Sequence, residues 1–513
     1  MRRKHALRRP LEIVLVGPSG RSNCVIDEIG MLRPKAVRLN NRGNMNEVGW
    51  PLPVAIVVAM LFGGASRADI LPLLFLRPLA ALLFVYAIFF HGRAAFQRSP
   101  MLMVFAFCTL ALVALHVVPL PPGVWSGLPG RQIAVDVYRV AGLPLPWLPL
   151  SMSPAGAWNA LFSLFLPFGV LILALAATGG EQVRALRLFL ILGLISGVIG
   201  LLQILGSQQG ALYFYDITNR GSAVGLFANR NHQAVLLASL FPLLAMHVSL
   251  IDNSQGRLQL HWVVSIAAAA FIAPLILVTG SRNGLLLGVA GLVLAFWVFG
   301  RKMSRSAPKE SARLARYAPW AVIGGLLLLS LTTVLLSRGQ AFQRLVNLDA
   351  SQDLRFKALP TIWEITRDVF PWGSGFGSFD DVFRIYEPTA LLSPNYLNRA
   401  HNDWLELAMT GGLPTLLLVL WGGVLFLLAL RGLIRPRNGG RGERSTLIAA
   451  RCAAVILLLL AMGSVAEYPA RTPSLAVLAV LCSAVLARIF KASAGVPPSR
   501  QTLSGSGEPI SEI

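Results

Sequence analysis

Acidic residues are scarce in this chain. Only 23 Asp and Glu stand against 45 Lys and Arg, and both signs together make up 13% of 513 positions. A soluble protein of this length needs far more charge to cover its surface, so a soluble globular fold is excluded. Cysteine is nearly absent too: Cys24, Cys108, Cys452 and Cys482 are scattered through apolar runs and a basic tail, implying neither a disulfide framework nor a metal cluster. An Asp-X-Asp metal motif, a His-Glu-X-X-His pair, a nucleophile elbow and a Walker A loop are all missing. The run from Leu11 to Gly20 starts like a strand and phosphate loop but lacks the Lys-Ser/Thr that would complete one. No secretory signal is evident, because the first fifty residues are polar and basic; the first apolar run would act as an uncleaved anchor, and Met31 and Met45 leave a later natural start open.

What the chain has in quantity is apolar sequence, 55% of it, in runs of about 18–25 residues that suit a ~30 Å hydrocarbon core. The expected fold class is all-α, a polytopic transmembrane helical bundle of about twelve spans. These fall at 52–66, 70–90, 100–120, 157–177, 185–205, 233–250, 263–279, 284–300, 317–336, 405–430, 448–466 and 474–490.

The net charge of +22 is a matter of topology, with no nucleic-acid partner implied. Ten Lys or Arg lie in 1–42, six in 301–316 and six in 431–451, with few acids beside them, so these stretches are expected to be cytoplasmic and to attract anionic lipid. Alternation of spans then puts both termini inside, and 121–156, 206–232, 280–284 and 337–404 outside. Trp125, Trp147 and Trp158 suit an interfacial belt. Arg230, Arg282, Arg338, Arg344, Arg355, Arg367 and Arg399 all fall on the side that the positive-inside rule leaves poor in arginine. Something outside wants positive charge.

Individual motifs each have a plain reading and a sharper one. Arg282, in Thr279-Gly-Ser-Arg-Asn-Gly284 between two spans, either snorkels to headgroups or binds an anion with its planar fork. The spacing of Ile362, Ile365 and Val369, widened by Trp363 and Phe370, predicts an amphipathic helix on the membrane surface or covering the bundle. Pro360 suits its first turn, and Arg355 stands just before its start, as a solvated charge or a ligand. The glycines of Pro371-Trp-Gly-Ser-Gly-Phe-Gly377 read as a tight turn rather than a phosphate loop.

His401, at the polar rim of the run 405–430, has the side chain suited to general-base work near neutral pH. Asn402 or Asp403 could cap the helix that follows, and Glu406 would face the same side. His232 and Arg230 form a second candidate group. Glu467 either pairs with Arg471 locally or lines the same cavity.

Three segments together resemble the bacterial O-antigen ligase and O-antigen polymerase superfamily: Phe227-Ala-Asn-Arg-Asn-His232, Thr279-Gly-Ser-Arg-Asn-Gly284, and Ala400-His-Asn-Asp-Trp-Leu-Glu406 with Ala408-Met-Thr-Gly-Gly-Leu413. The likeness runs from about Gly206 to Leu430. Together with the pattern of spans and basic stretches, it divides the chain into five regions: a basic cytoplasmic tail (1–50), N-terminal spans (51–205), a ligase/polymerase-like core (206–430) holding the periplasmic loop 337–404, C-terminal spans (431–490) and a second cytoplasmic tail (491–513). It also implies a multi-pass inner-membrane glycosyltransferase that needs no metal or other cofactor. The donor would be a polyprenyl-pyrophosphate-linked glycan, the acceptor a glycan or lipid A core, with protein hydroxyls a further variant. Arg282 and Arg355 would bind the donor pyrophosphate and His401 would be the catalytic base, with Arg230, His232, Asn402, Glu406 and Glu467 as secondary candidates. The competing reading is a transporter or flippase of lipid-linked sugars, which predicts midplane charges and inverted repeats of broken helices.

Overall fold

The computed structural model describes residues 13–17, 20–26, 32–34, 48–251, 258–299, 354–392, 397–434 and 441–493. Two units separate, Met1–Glu47 and Val48–Ile513. The first corrects the all-α expectation. Its strands β1 (Ile13–Gly17), β2 (Gly20–Ile26) and β3 (Leu32–Pro34) form an antiparallel meander with Ile13 opposite Cys24 and Cys24 opposite Pro34. The β-branched Ile13, Val14 and Val16 favour strand there.

The second unit is helical. It begins with α1 (Pro51–Phe62), α2 (Leu73–Arg98) and α3 (Pro100–Leu115). A surface excursion follows, in which β4 (Pro119–Leu120) pairs with β5 (Leu148–Pro149) around α4 (Pro122–Trp125) and α5 (Gln132–Val140). Then come α6 (Pro154–Ser163), α7 (Phe165–Ala176), α8 (Gly179–Leu205), α9 (Arg230–Ser249), α10 (Leu258–Val278) and α11 (Arg282–Phe299). After residues outside the description stand α12 (Leu354–Asp368), α13 (Phe379–Tyr386), α14 (Asp403–Ile434), α15 (Arg441–Gly463) and α16 (Pro473–Ser493).

Among the described residues, nine helical stretches are long and apolar enough to cross a membrane, counting α6 with α7 as one. The runs expected at 52–66 and 100–120 form shorter apolar helices, Pro51–Phe62 and Pro100–Leu115. The run 317–336 lies outside the described residues.

The bundle is built around α9. Its residues from Asn231 to Met246 are all buried, packed against α8, α10, α11 and α15. Small residues permit the closest approach: a Cβ at Gly284 would meet the methyl of Ala234, and one at Gly291 the carbonyl of Ala238. By contrast, α2 and α14 present Phe89, Phe90, Leu420 and Leu427 outward, as lipid-facing helices must. Polar side chains inside α8 hold the segment before α9. Ser196 accepts from Leu226 N at 3.0 Å, and Gln203 Oε1 accepts from Val224 N and Gly225 N at 3.0 and 2.8 Å. These bonds satisfy irregular backbone that water cannot reach.

A smaller core joins α12, through Ala358, Ile362 and Ile365, to Phe379, Val382 and Phe383 of α13 and Met409 of α14. The expected amphipathic helix is present with three differences. It includes Arg355 rather than following it, and Pro360 sits within it on an exposed face, where the lost hydrogen bond can go to water. Trp363 and Phe370 point outward instead of widening the buried stripe. Trp125 likewise leaves the expected belt: it is buried, its indole N–H donating to Pro146 O at 2.8 Å, while Trp147 and Trp158 are exposed.

The run expected as one span at 405–430 is broken. Gly412 has φ 57° and ψ −154°, dividing α14 into a short first segment and a long second one. The break frees the carbonyls of Met409 and Thr410, and Pro414 could not have donated to Thr410 in any case. The glycine loop supplies the missing donors: Ser374 N bonds to Met409 O at 3.0 Å and Gly375 N to Thr410 O at 2.8 Å. In return Leu413 N donates to Pro371 O at 2.8 Å. Gly373, Gly375 and Gly377 all have positive φ, and a Cβ at Gly375 would overlap Ser151.

Candidate active site

The C-terminal ends of α1 and α15 and the starts of α9, α11, α14 and α16 converge at one end of the bundle. Asn283 Nδ2 donates to Gly463 O at 3.2 Å, Trp404 Nε1 to Ala461 O at 3.2 Å, and Asp403 N to Ser464 O at 2.9 Å. Ser474 N bonds to Gly63 O and Ala228 N to Gly64 O, both at 3.1 Å. Segments separated by as many as 411 residues therefore share one face.

His401 sits there with a positive φ of 51°, the only described non-glycine residue with a positive φ. That backbone is rare for a side-chain-bearing residue and persists only where neighbours over-determine it. Here they do. Glu406 Oε2 accepts from Ala400 N at 2.9 Å, immediately before the histidine. Asn402, immediately after it, caps α14 by accepting from Leu405 N at 3.0 Å. Asp403 then accepts from Arg471 Nε at 2.6 Å and from Ser464 Oγ at 3.1 Å. Glu406 Oε1 takes Arg399 at 3.0 Å and Arg471 at 3.1 Å, so Arg471 bridges two buried carboxylates. Burial disfavours the Arg471 cation, but Glu406 and Asp403 outweigh it and push its pKa up.

Glu467 is the second centre. The expected local pairing with Arg471 does not form. Instead the fully buried carboxylate accepts from Arg355 Nη1 at 2.5 Å, from Asn231 Nδ2, and from His401 Nδ1 at 3.3 Å. Burial alone would raise its pKa. The hydrogen bond from His401 and the charge of Arg355 outweigh that and hold it down at about 2. An ionised carboxylate can only accept, so Nδ1 of His401 carries the proton and Nε2 keeps its lone pair. Tyr468 follows directly, its ring edge-on to His401 at 4.9 Å and to His232 at 5.0 Å. Burial and then the Glu467 charge push its phenol up to about 12, so it stays a neutral donor.

These groups border a cavity of about 260 Å³. Its walls come from Ser66 and Arg67 after α1, Thr218 and Asn219, the start of α9 from Asn229 to His232, and Arg355, Asn398, His401 and Tyr468. Among the sequence candidates, Arg230, His232, Arg355 and His401 thus line one space, with Glu467 directly behind it. Asn402 and Glu406 do not line it; they fix the backbone that carries His401. Arg282 is the first residue of α11, on the same face but exposed and outside this lining. Arg67 was missed, although the same alternation of spans puts its turn on this side. Asp403 and Arg471 were seen as a cap and a local partner, and sequence spacing gave no sign that they pair across 68 positions. Among the described residues, no group of three His, Cys, Asp or Glu is placed to hold a metal.

The fold and this rim of ionised groups define a multi-pass membrane protein with a polar site at one end of its bundle. Residues 266–420 match the sequence model of the O-antigen ligase family, which supports the likeness to the O-antigen ligase and polymerase superfamily. The matched stretch contains Arg282, Arg355, His401 and Glu406, and stops short of Glu467. No curated protein matches the chain. The family carries a glycosyltransferase-like role in O-antigen assembly.

Proposed function

We propose that the protein is an inner-membrane glycosyltransferase that moves a glycan from a polyprenyl-pyrophosphate donor to an acceptor at the periplasmic face. Both termini are then cytoplasmic. The observation that carries this reading is the His401–Glu467–Arg355 arrangement at the cavity wall. Glu467 holds His401 with Nε2 as its lone-pair nitrogen, turned away from the carboxylate. The acceptor hydroxyl gives its proton to Nε2 as its oxygen bonds to the anomeric carbon. The bond from that carbon to the phosphate oxygen breaks, and its electron pair leaves on the polyprenyl pyrophosphate. Arg355 and Arg282 stabilise that charge by fixed, charge-assisted hydrogen bonds, the work a metal does elsewhere. The acceptor is a further glycan unit or a lipid A core.

The test is glycan transfer by purified protein in detergent from a polyprenyl-pyrophosphate oligosaccharide, with wild type, His401→Ala and Arg355→Ala compared. Loss of transfer in both variants, with folding and donor binding by His401→Ala intact, supports the reading. Wild type that binds donor yet never glycosylates any acceptor would favour a transporter of lipid-linked sugars.

A further inference from the structure

His232 is 1% exposed, lies in the third position of α9, and borders the cavity beside His401. Neither of its ring nitrogens has a hydrogen-bond partner among the described residues. Buried imidazoles are ordinarily satisfied, because an unmet donor or acceptor costs about 1–3 kcal/mol. The asparagines around the helix start are engaged. Asn229 Oδ1 accepts from Asn231 N at 2.8 Å, Asn231 donates to Glu467, and Asn219 Oδ1 accepts from Arg230 N at 3.0 Å. Gln233 Nε2, one residue on, also has no partner, but its Oε1 accepts from Ser196 Oγ at 2.7 Å, so at this helix start His232 is the described side chain with both of its polar atoms unmet.

We propose that His232 hydrogen-bonds a hydroxyl of the first sugar of the donor, the one attached to the pyrophosphate, and so helps to select which glycan is transferred. This rests on the donor reading above. A neutral imidazole offers one N–H and one lone pair. A hydroxyl can partner either, whichever nitrogen meets it, whereas a phosphate oxygen can partner only the N–H. The surrounding chemistry agrees. Asn219, Asn229 and Asn398 supply amides, Tyr468 an aromatic ring between the two histidines, and no carboxylate is among the described lining residues. At about 260 Å³ the cavity falls just short of pockets that enclose a drug-sized ligand, roughly 300–1,000 Å³. It fits one sugar and its phosphate, with the remaining glycan outside.

The test uses the full-length protein in detergent and two kinds of probe: farnesyl diphosphate carrying a hexose, an N-acetylhexosamine or a 6-deoxyhexose, and bare farnesyl diphosphate. Wild type is expected to bind at least one sugar-bearing probe more tightly than the bare one. His232→Phe should weaken that probe about tenfold and leave the bare diphosphate unchanged, while His232→Asn, which keeps a donor and an acceptor, restores most of the difference. Equal weakening of both probes, or no change in either, overturns the assignment and leaves the donor reading standing. Wild type that binds neither probe overturns both. A thermal melt of each variant separates loss of contact from loss of fold, since unfolding weakens both probes together.

Discussion

Replacing Glu467 by Gln is the most revealing single change. The substitution keeps shape and volume and removes one buried charge that Arg355, Asn231 and His401 all address. A carboxyl held at about 2 rather than its ordinary 4.5 is stabilised in its ionised form by roughly 3 kcal/mol, at about 1.4 kcal/mol per pH unit. Loss of one partner from a buried ion pair independently gives about 3–5 kcal/mol. The variant should therefore be less stable by about 3 kcal/mol at neutral pH, read as a lower unfolding midpoint in detergent. Because the folded-state pKa is depressed, this stabilisation is complete above about pH 4.5 and fades as the pH falls toward 2. Wild type and variant should thus converge in acid.

The kinetic consequence is sharper. An amide can turn its NH2 toward His401 Nδ1, which then accepts, and the ring proton moves to Nε2. The nitrogen that should take the acceptor's proton is then blocked, so kcat should fall by about 10²–10⁴, the range of a lost general base. Donor binding should weaken far less. A Glu467→Gln enzyme that transfers glycan at the wild-type rate refutes the orienting role. One that is stable at neutral pH refutes the electrostatic account as well.

Gly375→Ala should destabilise the protein by about 1–3 kcal/mol or abolish folding, because φ is 99° and the new methyl overlaps Ser151; Gly423→Ala, a helical position with open space around it, should be neutral or slightly stabilising in the same melt. Asp403→Asn and Arg471→Met should each cost about 3 kcal/mol, while the double variant costs much less than the two together, which a double-mutant cycle on unfolding midpoints measures. Glycan transfer should persist undiminished in excess chelator, and a chelator-sensitive rate that divalent cations restore would sink the arginine-only account of charge stabilisation.

Much of the bundle was legible because a bilayer makes sequence nearly one-dimensional: a run long enough to span must be helical, as α2, α8 and α10 are. What was not legible lay where helices break. Nothing in the apolar run after Leu405 predicts that Gly412 divides it, because the break depends on Ser374 and Gly375 arriving to meet two freed carbonyls. Trp363 and Phe370 suited a helical stripe by spacing, yet the stripe only needed three aliphatic residues to face α13. The site followed the same division. His401 and Arg355 announced themselves by type and position. The partnership of Glu467 with residues 66, 112 and 236 positions away could not be read, since an adjacent arginine offered a simpler local partner.

That exchange of partners bears on what the molecule does. Had Glu467 paired with Arg471, the turn between α15 and α16 would be self-contained and free to move against its neighbours. Instead Glu467 ties that turn to α9, α12 and the His401 segment, while Arg471 ties it to the start of α14. A carrier that alternates access by rocking one part against another would have to open such contacts in each cycle, at several kcal/mol for every buried pair separated. The same contacts suit a site that must hold a base and a cation in fixed register while charge develops between them, where preorganisation is the main source of rate. If the ties are rigid, disulfide or chemical crosslinks from the 464–472 turn to α12 should leave glycan transfer intact. A carrier would be stopped by them.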